Sequence, residues 1–258
     1  MLRRHLVAWV IAVFGTGTAA AAAAGAIGEG REARTFTNPI VAKGADPWVV
    51  RWEGAWYRAH SGGGAVSVSR FEALEEMGKA EARRVWVPEP GREYSRNLWA
   101  PEIHHLDGRW HLYVAADDGR NENHRMYVLE GDARDPQAPY LWRGRMAART
   151  DRWAIDGTIL SLPDGRRYFV WSGWEGTENV AQHLYLARLS SAVSIDGERV
   201  RISTPEHPWE RHGQPWVNEG PQVLWRGDRL FLVYSASGSW TDDYCLGVLE
   251  WTGGDPME

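Results

Sequence analysis

The sequence predicts an all-β fold, and within that class a β-propeller with about four blades in its 258 residues. Three observations indicate this fold. Two strands joined by a glycine turn recur four times, roughly every 50 to 60 residues, which is typical of four-stranded propeller blades. An acidic residue precedes each turn in a similar register. Helical periodicity is confined to one short stretch around residues 71–83.

The four repeats each have the pattern of a β-hairpin. A glycine in or beside the turn supplies the positive φ that a tight connection needs, and the flanking segments are apolar or aromatic in alternation. In chain order the predicted hairpins cover residues 48–57, 103–113, 159–169 and 223–232, with turns at Glu53-Gly54, Asp107-Gly108, Asp164-Gly165 and Gly227-Asp228.

Residues 1–26 have the pattern of a secretory signal peptide. Two arginines precede an apolar segment at residues 6–14, and an alanine-rich tract then offers small residues that suit cleavage. A membrane anchor is the alternative, although the apolar segment is short for a span. We therefore expect residues 27–258 to form a secreted or periplasmic propeller domain that is not attached to a membrane.

The composition narrows the choice of partners. A net charge of −5 and a pI near 6.0 provide no electrostatic basis for binding nucleic acid. The single cysteine, Cys245, cannot form an internal disulfide. The chain contains 16 tryptophans, and an indole plate stacks well on the apolar face of a sugar, although tryptophan also fills β-cores.

Four acidic residues precede the four hairpins: Asp46, Glu102, Asp156 and Glu219. The first strand of each propeller blade lines a central channel, so we expect residues at the starts of these strands to converge on one mouth of that channel. Acidic residues also cap turns at strand ends, which is the structural alternative.

Clustered carboxylates suit the hydrolysis of a glycosidic bond. That reaction needs one protonated carboxyl and one ionised carboxylate on opposite sides of the anomeric carbon, and a neighbouring negative charge helps to keep one group protonated. Calcium binding is the competing use of such a cluster, but the dense acidic loop of a calcium site is absent. No histidine spacing resembles a zinc site.

Several motifs together resemble glycoside hydrolase family 43, from about Thr37 to the C-terminus. They are Asn38-Pro39-Ile40, Ala45-Asp46-Pro47, Asn97-Leu98-Trp99-Ala100-Pro101-Glu102, Ala154-Ile155-Asp156-Gly157, Val217-Asn218-Glu219-Gly220-Pro221 and Tyr234-Ser235-Ala236-Ser237. The resemblance implies a five-bladed β-propeller. It also implies that Asp46 is the general base that activates water, Glu219 the general acid, and Asp156 the residue that tunes and orients that acid.

The resemblance further implies inversion of configuration, for which the acid and base carboxyls lie about 6.5–9.5 Å apart. Within the family the sequence is most similar to α-L-arabinofuranosidases, with β-xylosidases second, and a plant cell-wall oligosaccharide or polysaccharide is the expected substrate. A non-catalytic sugar-binding propeller and a protein-interaction propeller are the alternatives from other classes. We expect a monomer.

Four further residues are candidates for binding the sugar. By analogy with the family, Trp99 is the expected stacking plate and Trp174 a second one, with packing between blades as the alternative for both. His60 and Glu102 are candidates for hydrogen bonds to the sugar.

The family pattern continues with a fifth blade, whose channel-lining histidine contributes to a central hydrated cation site. The sequence stops at Glu258, where the connection to that blade would begin, so we expect it to lack the last blade. No cofactor is expected to be required, and a structural calcium in the central channel is the one metal that the resemblance implies.

Overall fold

The computed structural model describes residues 2–5 and 36–258, and over these residues the chain is built almost entirely from β-strands. The strands are β1 (Leu2–His5), β2 (Trp48–Trp52), β3 (Ala55–Gly62), β4 (Ala65–Phe71), β5 (Ala82–Trp86), β6 (Arg96–Leu106), β7 (Arg109–Asp117), β8 (Arg125–Glu130), β9 (Leu141–Arg145), β10 (Ala154–Ser161), β11 (Arg167–Gly173), β12 (Ala181–Ser191), β13 (Ser194–Ser203), β14 (Trp216–Arg226), β15 (Arg229–Ala236) and β16 (Cys245–Trp251).

These strands form four antiparallel sheets of four strands each. Sheet I contains β2 to β5, sheet II contains β6 to β9, sheet III contains β10 to β13, and sheet IV has the order β14-β15-β16-β1. A short parallel pairing of β12 with β14 joins sheets III and IV. The all-β prediction is therefore confirmed, and each predicted repeat corresponds to one sheet.

All four predicted hairpins connect the first and second strands of a sheet. Glu53 and Gly54 both have positive φ, at 46° and 88°, as do Asp107 and Gly108, at 51° and 78°. Positive φ at both central residues defines a type I′ turn, whose twist matches that of the flanking strands. The helical periodicity around residues 71–83 corresponds only to a 3-10 turn, Leu74–Glu76, between β4 and β5.

The apolar core lies between neighbouring sheets. Three clusters pack sheet I on sheet II, sheet II on sheet III, and sheet III on sheet IV, and their largest buried members include Trp110, Tyr113 and Tyr234. A cavity of about 390 Å³ is lined by side chains from the first strand of every sheet, for example Trp48, Ile103, Ile159 and Val223. The four first strands therefore face one common space, as the convergence argument requires.

The N-terminal predictions are tested only in part. The predicted signal peptide, residues 1–26, lies outside the described residues except for β1, whose backbone pairs with β16. In the part of the chain that the structure describes, no helix has the length and hydrophobicity needed to cross a membrane. The expectation that the last blade is missing stays a prediction.

Candidate active site

The first strands of sheets II, III and IV are each interrupted by a β-bulge near their start. The register shifts lie on both sides of Trp99 in β6, between Ile155 and Thr158 in β10, and between Glu219 and Gln222 in β14. Ala100 and Asp156 have positive φ, at 42° and 55°. A bulge re-aims side chains without ending the strand, so these interruptions determine where the acidic residues point.

Asp46 precedes β2 by two residues and also has a positive φ, at 48°. Its carboxylate accepts a hydrogen bond from the backbone of Ala100, which ties the start of sheet I to the bulge in sheet II. The residue as a whole is exposed, but the surrounding protein is dense enough to raise the pKa of its carboxyl, and the bond from Ala100 opposes that effect. Asp46 therefore lies on the solvent side of the site.

Asp156 lies deeper, at the bulge of β10. Its Oδ2 accepts a hydrogen bond of 3.0 Å from the backbone N–H of Gly220 in β14. Burial raises the pKa of its carboxyl well above the usual range, and the negative charges of Glu219 and Asp46 raise it further, while the Gly220 bond opposes them. The Asp156 carboxyl therefore binds a proton more readily than an ordinary aspartate does.

Glu219 lies in β14, beside Gly220. Its Oε1 accepts a hydrogen bond of 2.9 Å from the hydroxyl of Tyr244. Burial is the largest cause that raises the pKa of Glu219, and the charge of Asp46 adds to it, while the Tyr244 bond lowers it. The structure thus brings together Asp46, Asp156 and Glu219, which we call the carboxylate cluster.

Glu102, the fourth acid of the series, is held by hydrogen bonds to two side chains. Its carboxylate is buried between sheets, where it contacts Nε2 of His104 at 2.8 Å and accepts a hydrogen bond from the amide of Gln222. Both carboxylate oxygens therefore have protein partners, and a hydrogen bond from Glu102 to the sugar stays a prediction. Its negative charge still contributes to the raised pKa of Asp156.

Trp99 is positioned as a plate near the mouth of the site. The residue is 38% exposed and stacks on His124, with ring centroids 4.0 Å apart and planes inclined by 27°. His124 is fully buried, with Nδ1 2.9 Å from Asp117 and Nε2 3.1 Å from the backbone oxygen of Asn97. One indole face is therefore supported from below, and Trp99 adjoins Ala100, the residue that holds Asp46.

Trp174 does not occupy such a position. It is only 4% exposed and stacks in parallel on Trp153, with centroids 4.8 Å apart. The prediction that Trp174 is a second stacking plate is therefore wrong, since this ring packs in the core between sheets II and III and presents no open face to a ligand.

His60 is half-buried on β3, and burial lowers the pKa of its imidazole, with the positive charge of Arg58 acting in the same direction. A hydrogen bond from His60 to the sugar stays a prediction. Among residues 36–258 no group of three or more His, Cys, Asp or Glu side chains has the arrangement of a metal site. The structural calcium likewise stays a prediction.

Tyr244 contacts the carboxylate cluster, although the sequence analysis assigned no role to it. It lies at the end of the loop between β15 and β16, directly before Cys245, which pairs with Ala236. Ala236 in turn pairs with Asn218, the residue before Glu219. The strand register was the signal that could have placed Tyr244 opposite the acid.

Comparison with known proteins identifies the family of this chain. The family model for glycosyl hydrolases family 43 matches residues 36–256. The chain is 32% identical over 219 residues to "Alpha-L-arabinofuranosidase 43" of Humicola insolens, and 32% identical over 223 residues to the "Extracellular exo-alpha-(1->5)-L-arabinofuranosidase" of Streptomyces avermitilis. Each alignment covers 83% of this chain and 45% of the relative, so the chain spans about half the length of these two proteins.

The fold is similar to that of a solved α-L-arabinofuranosidase from Lactobacillus brevis, with a TM-score of 0.79 and 29% sequence identity. That superposition covers 86% of this chain and 72% of the other. Since the family model spans most of the sequence and includes all three members of the carboxylate cluster, this chain belongs to glycosyl hydrolases family 43.

Proposed function

We propose that this protein is a secreted, inverting glycoside hydrolase that releases terminal α-L-arabinofuranosyl residues from arabinan or arabinose-containing hemicellulose. The observation that carries the proposal is the carboxylate cluster. Three acids that are far apart in the sequence lie in one site, where burial raises the pKa of all three, and the charges of neighbouring acids raise the pKa of Asp156 and of Glu219 further.

The environments of the three acids match three different roles. Asp46 lies on the solvent side, where a water molecule can reach it, and it acts as the general base. Glu219 is more enclosed, so its carboxyl binds a proton more readily, and it acts as the general acid. Asp156 is fixed to the backbone beside Glu219 through Gly220, and it orients and tunes that acid.

The proposed step balances as a single displacement. Glu219 donates its proton to the glycosidic oxygen as the bond from that oxygen to the anomeric carbon breaks. A water molecule attacks the anomeric carbon from the opposite face, and its proton passes to Asp46. The products are arabinose of inverted configuration and the shortened acceptor, as expected for the inverting arrangement of two carboxyl groups.

The choice of arabinose rests on the relatives. The names of the Humicola insolens and Streptomyces avermitilis proteins give α-L-arabinofuranosidase activity, and that of the Streptomyces protein gives extracellular location and α-1,5 linkage. We extend these properties to this chain as part of the proposal. We also propose that the four sheets are blades of a propeller, since their first strands face one cavity.

The test is incubation of the purified protein with linear α-1,5-arabino-oligosaccharides, with products separated by chromatography and their first-formed anomer read by NMR. Stepwise release of arabinose of inverted configuration is expected. Release of xylose from xylo-oligosaccharides instead would contradict the assignment of arabinose and indicate a β-xylosidase. Binding of either oligosaccharide without any product would indicate a sugar-binding propeller and contradict hydrolysis.

Glu219→Gln tests the acid role. We expect the variant to lose roughly 10²- to 10⁴-fold in kcat on the oligosaccharide, because a glutamine cannot protonate the leaving oxygen. Hydrolysis of 4-nitrophenyl α-L-arabinofuranoside should be much less affected, because nitrophenolate departs without a proton. Glu178→Gln, at an exposed glutamate, is the matched control and should behave like the wild type.

An equal loss on both substrates would contradict the assignment of Glu219 as the acid. Full activity of Glu219→Gln on the oligosaccharide would do so as well.

A further inference from the structure

Tyr244 contacts the proposed general acid although it belongs to a loop and not to a first strand. The loop covers residues 237–244 between β15 and β16. It begins with Ser237, whose φ is +68° and whose N–H bonds to the backbone oxygen of Val217. It ends at Tyr244, whose residue surface is 43% exposed while its hydroxyl is directed inward to Glu219.

The phenol of Tyr244 keeps its proton in this position. Burial of its hydroxyl and the charge of Glu219 both raise its pKa, so the phenol stays protonated at any pH at which the protein would work. A second hydroxyl, that of Ser235, is hydrogen-bonded to the phenol. Ser235 is also the direct cross-strand neighbour of Glu219, so the three side chains form a short series from serine to tyrosine to glutamate.

We propose that Tyr244 is a positioning residue for catalysis, which holds the Glu219 carboxyl in place and stabilises its ionised form as the proton leaves. This inference rests on the proposed function, because it assigns a partner to the general acid of that reaction.

The chemistry of a hydroxyl suits both protonation states of the acid. A phenol can donate one hydrogen bond and accept others. Before the reaction its oxygen can accept a hydrogen bond from the O–H of the Glu219 carboxylic acid, while Ser235 is its second partner. After proton transfer it donates to the carboxylate, and such a charge-assisted bond is about twice as strong as a neutral one. Tyr244 therefore favours the product side of the proton transfer.

The charged groups that face Glu219 determine in which direction its pKa moves when the Tyr244 hydrogen bond is lost. Asp46, before β2, raises the pKa of Glu219, and Asp156, in β10, interacts with the same carboxyl. Burial acts in the same direction, and the Tyr244 hydrogen bond is the one contribution that lowers the pKa. Without that bond the carboxyl would be a weaker acid with a higher pKa.

The test is the pH dependence of kcat/KM for Tyr244→Phe, which removes only the hydroxyl. On the arabino-oligosaccharide we expect the alkaline limb to move to higher pH, because Glu219 stays protonated further. At the pH optimum we expect kcat to fall by on the order of tenfold, because the acid is weaker and less well held. On 4-nitrophenyl α-L-arabinofuranoside kcat should change little.

Tyr168→Phe is the matched control, since Tyr168 also donates to a carboxylate, that of Asp255 at 3.0 Å, at the opposite end of sheet III from Asp156. Its pH profile should equal that of the wild type. Ser235→Ala should move the alkaline limb in the same direction as Tyr244→Phe, by less.

An unmoved alkaline limb in Tyr244→Phe would overturn this inference. So would an equal loss on both substrates, which indicates general damage to the site. These outcomes are separate from failure of the proposed function, which Glu219→Gln reports independently: if that variant behaves as an acid variant while Tyr244→Phe keeps the wild-type profile, only the role of Tyr244 is rejected.

Discussion

At the scale of single residues, the three acids of the carboxylate cluster differ by environment and not by chemistry. Asp46 is exposed to solvent, Asp156 accepts a hydrogen bond from the backbone of the neighbouring strand, and Glu219 accepts one from the phenol of Tyr244. A carboxyl responds to burial, to nearby charge and to hydrogen bonds, and these three effects are distributed unequally in the site. Neutralising each acid by substitution is therefore expected to affect activity differently.

Asp46→Asn should abolish hydrolysis of both the oligosaccharide and the nitrophenyl substrate, by on the order of 10³-fold in kcat. The reason is that activation of water is needed whatever the leaving group, in contrast to the protonation that Glu219 supplies. Initial rates on both substrates measure this. Asp228→Asn, in the exposed turn between β14 and β15, is the control, and retained nitrophenyl hydrolysis in Asp46→Asn would refute the base role.

At the scale of the strands, the bulges place the acids, and they depend on small residues next to them. Gly157 follows Asp156 within the bulge of β10. A Cβ built on it would lie 2.7 Å from the methyl carbon of Met126 and against the ring of Phe169. The glycine is therefore required by close packing, and it lets sheet III approach sheet II directly beneath the carboxylate cluster.

Gly157→Ala should destabilise the fold by about 1–3 kcal/mol, because an added methyl group in a filled core forces its neighbours to shift. Thermal and urea unfolding measure the change. Gly176→Ala is the matched control, since a Cβ there meets nothing within 4 Å, and it should leave the melting temperature unaltered. An unaltered melting temperature in Gly157→Ala would show that the core can adapt.

At the scale of the whole molecule, the site opposes the stability of the fold. The folded-state pKa of Asp156 is raised by burial and by the charges of Glu219 and Asp46. Such a group destabilises the folded state when it is ionised. The loss in unfolding free energy is zero below the unfolded-state pKa, grows as the pH rises from there to the folded-state pKa, and is complete above it. The crowding that suits catalysis therefore costs stability at neutral pH.

Asp156→Asn should raise the melting temperature by a few degrees at pH 7, and this gain should shrink towards zero near pH 4. Calorimetry at a series of pH values measures it. Asp164→Asn is the control of opposite sign, because hydrogen bonds from Arg166 lower the pKa of that exposed carboxyl, and it should give a small loss at pH 7. A gain in Asp156→Asn that is independent of pH would contradict the electrostatic explanation.

Much of the fold was predictable from local pattern. The turn at Gly54 and its three counterparts needs only a glycine between two apolar runs, and all four hairpins form as expected. The repeated register before those turns singled out four acids, Asp46, Glu102, Asp156 and Glu219, and the resemblance to the family assigned catalytic roles to three of them. The position of Trp174 was not predictable, since an indole looks the same in sequence whether it faces a sugar or, as here, the ring of Trp153.

The four hairpins and their turns could be predicted from the sequence, because they depend on neighbours within about ten residues. The contacts of Glu102 with Gln222 and His104, and that of Tyr244 with Glu219, could be seen only in the folded structure. Burial, charge and hydrogen bonding between distant strands are set by how the sheets pack. Those contacts decide which carboxyl holds a proton, and hence which chemistry each acid can perform.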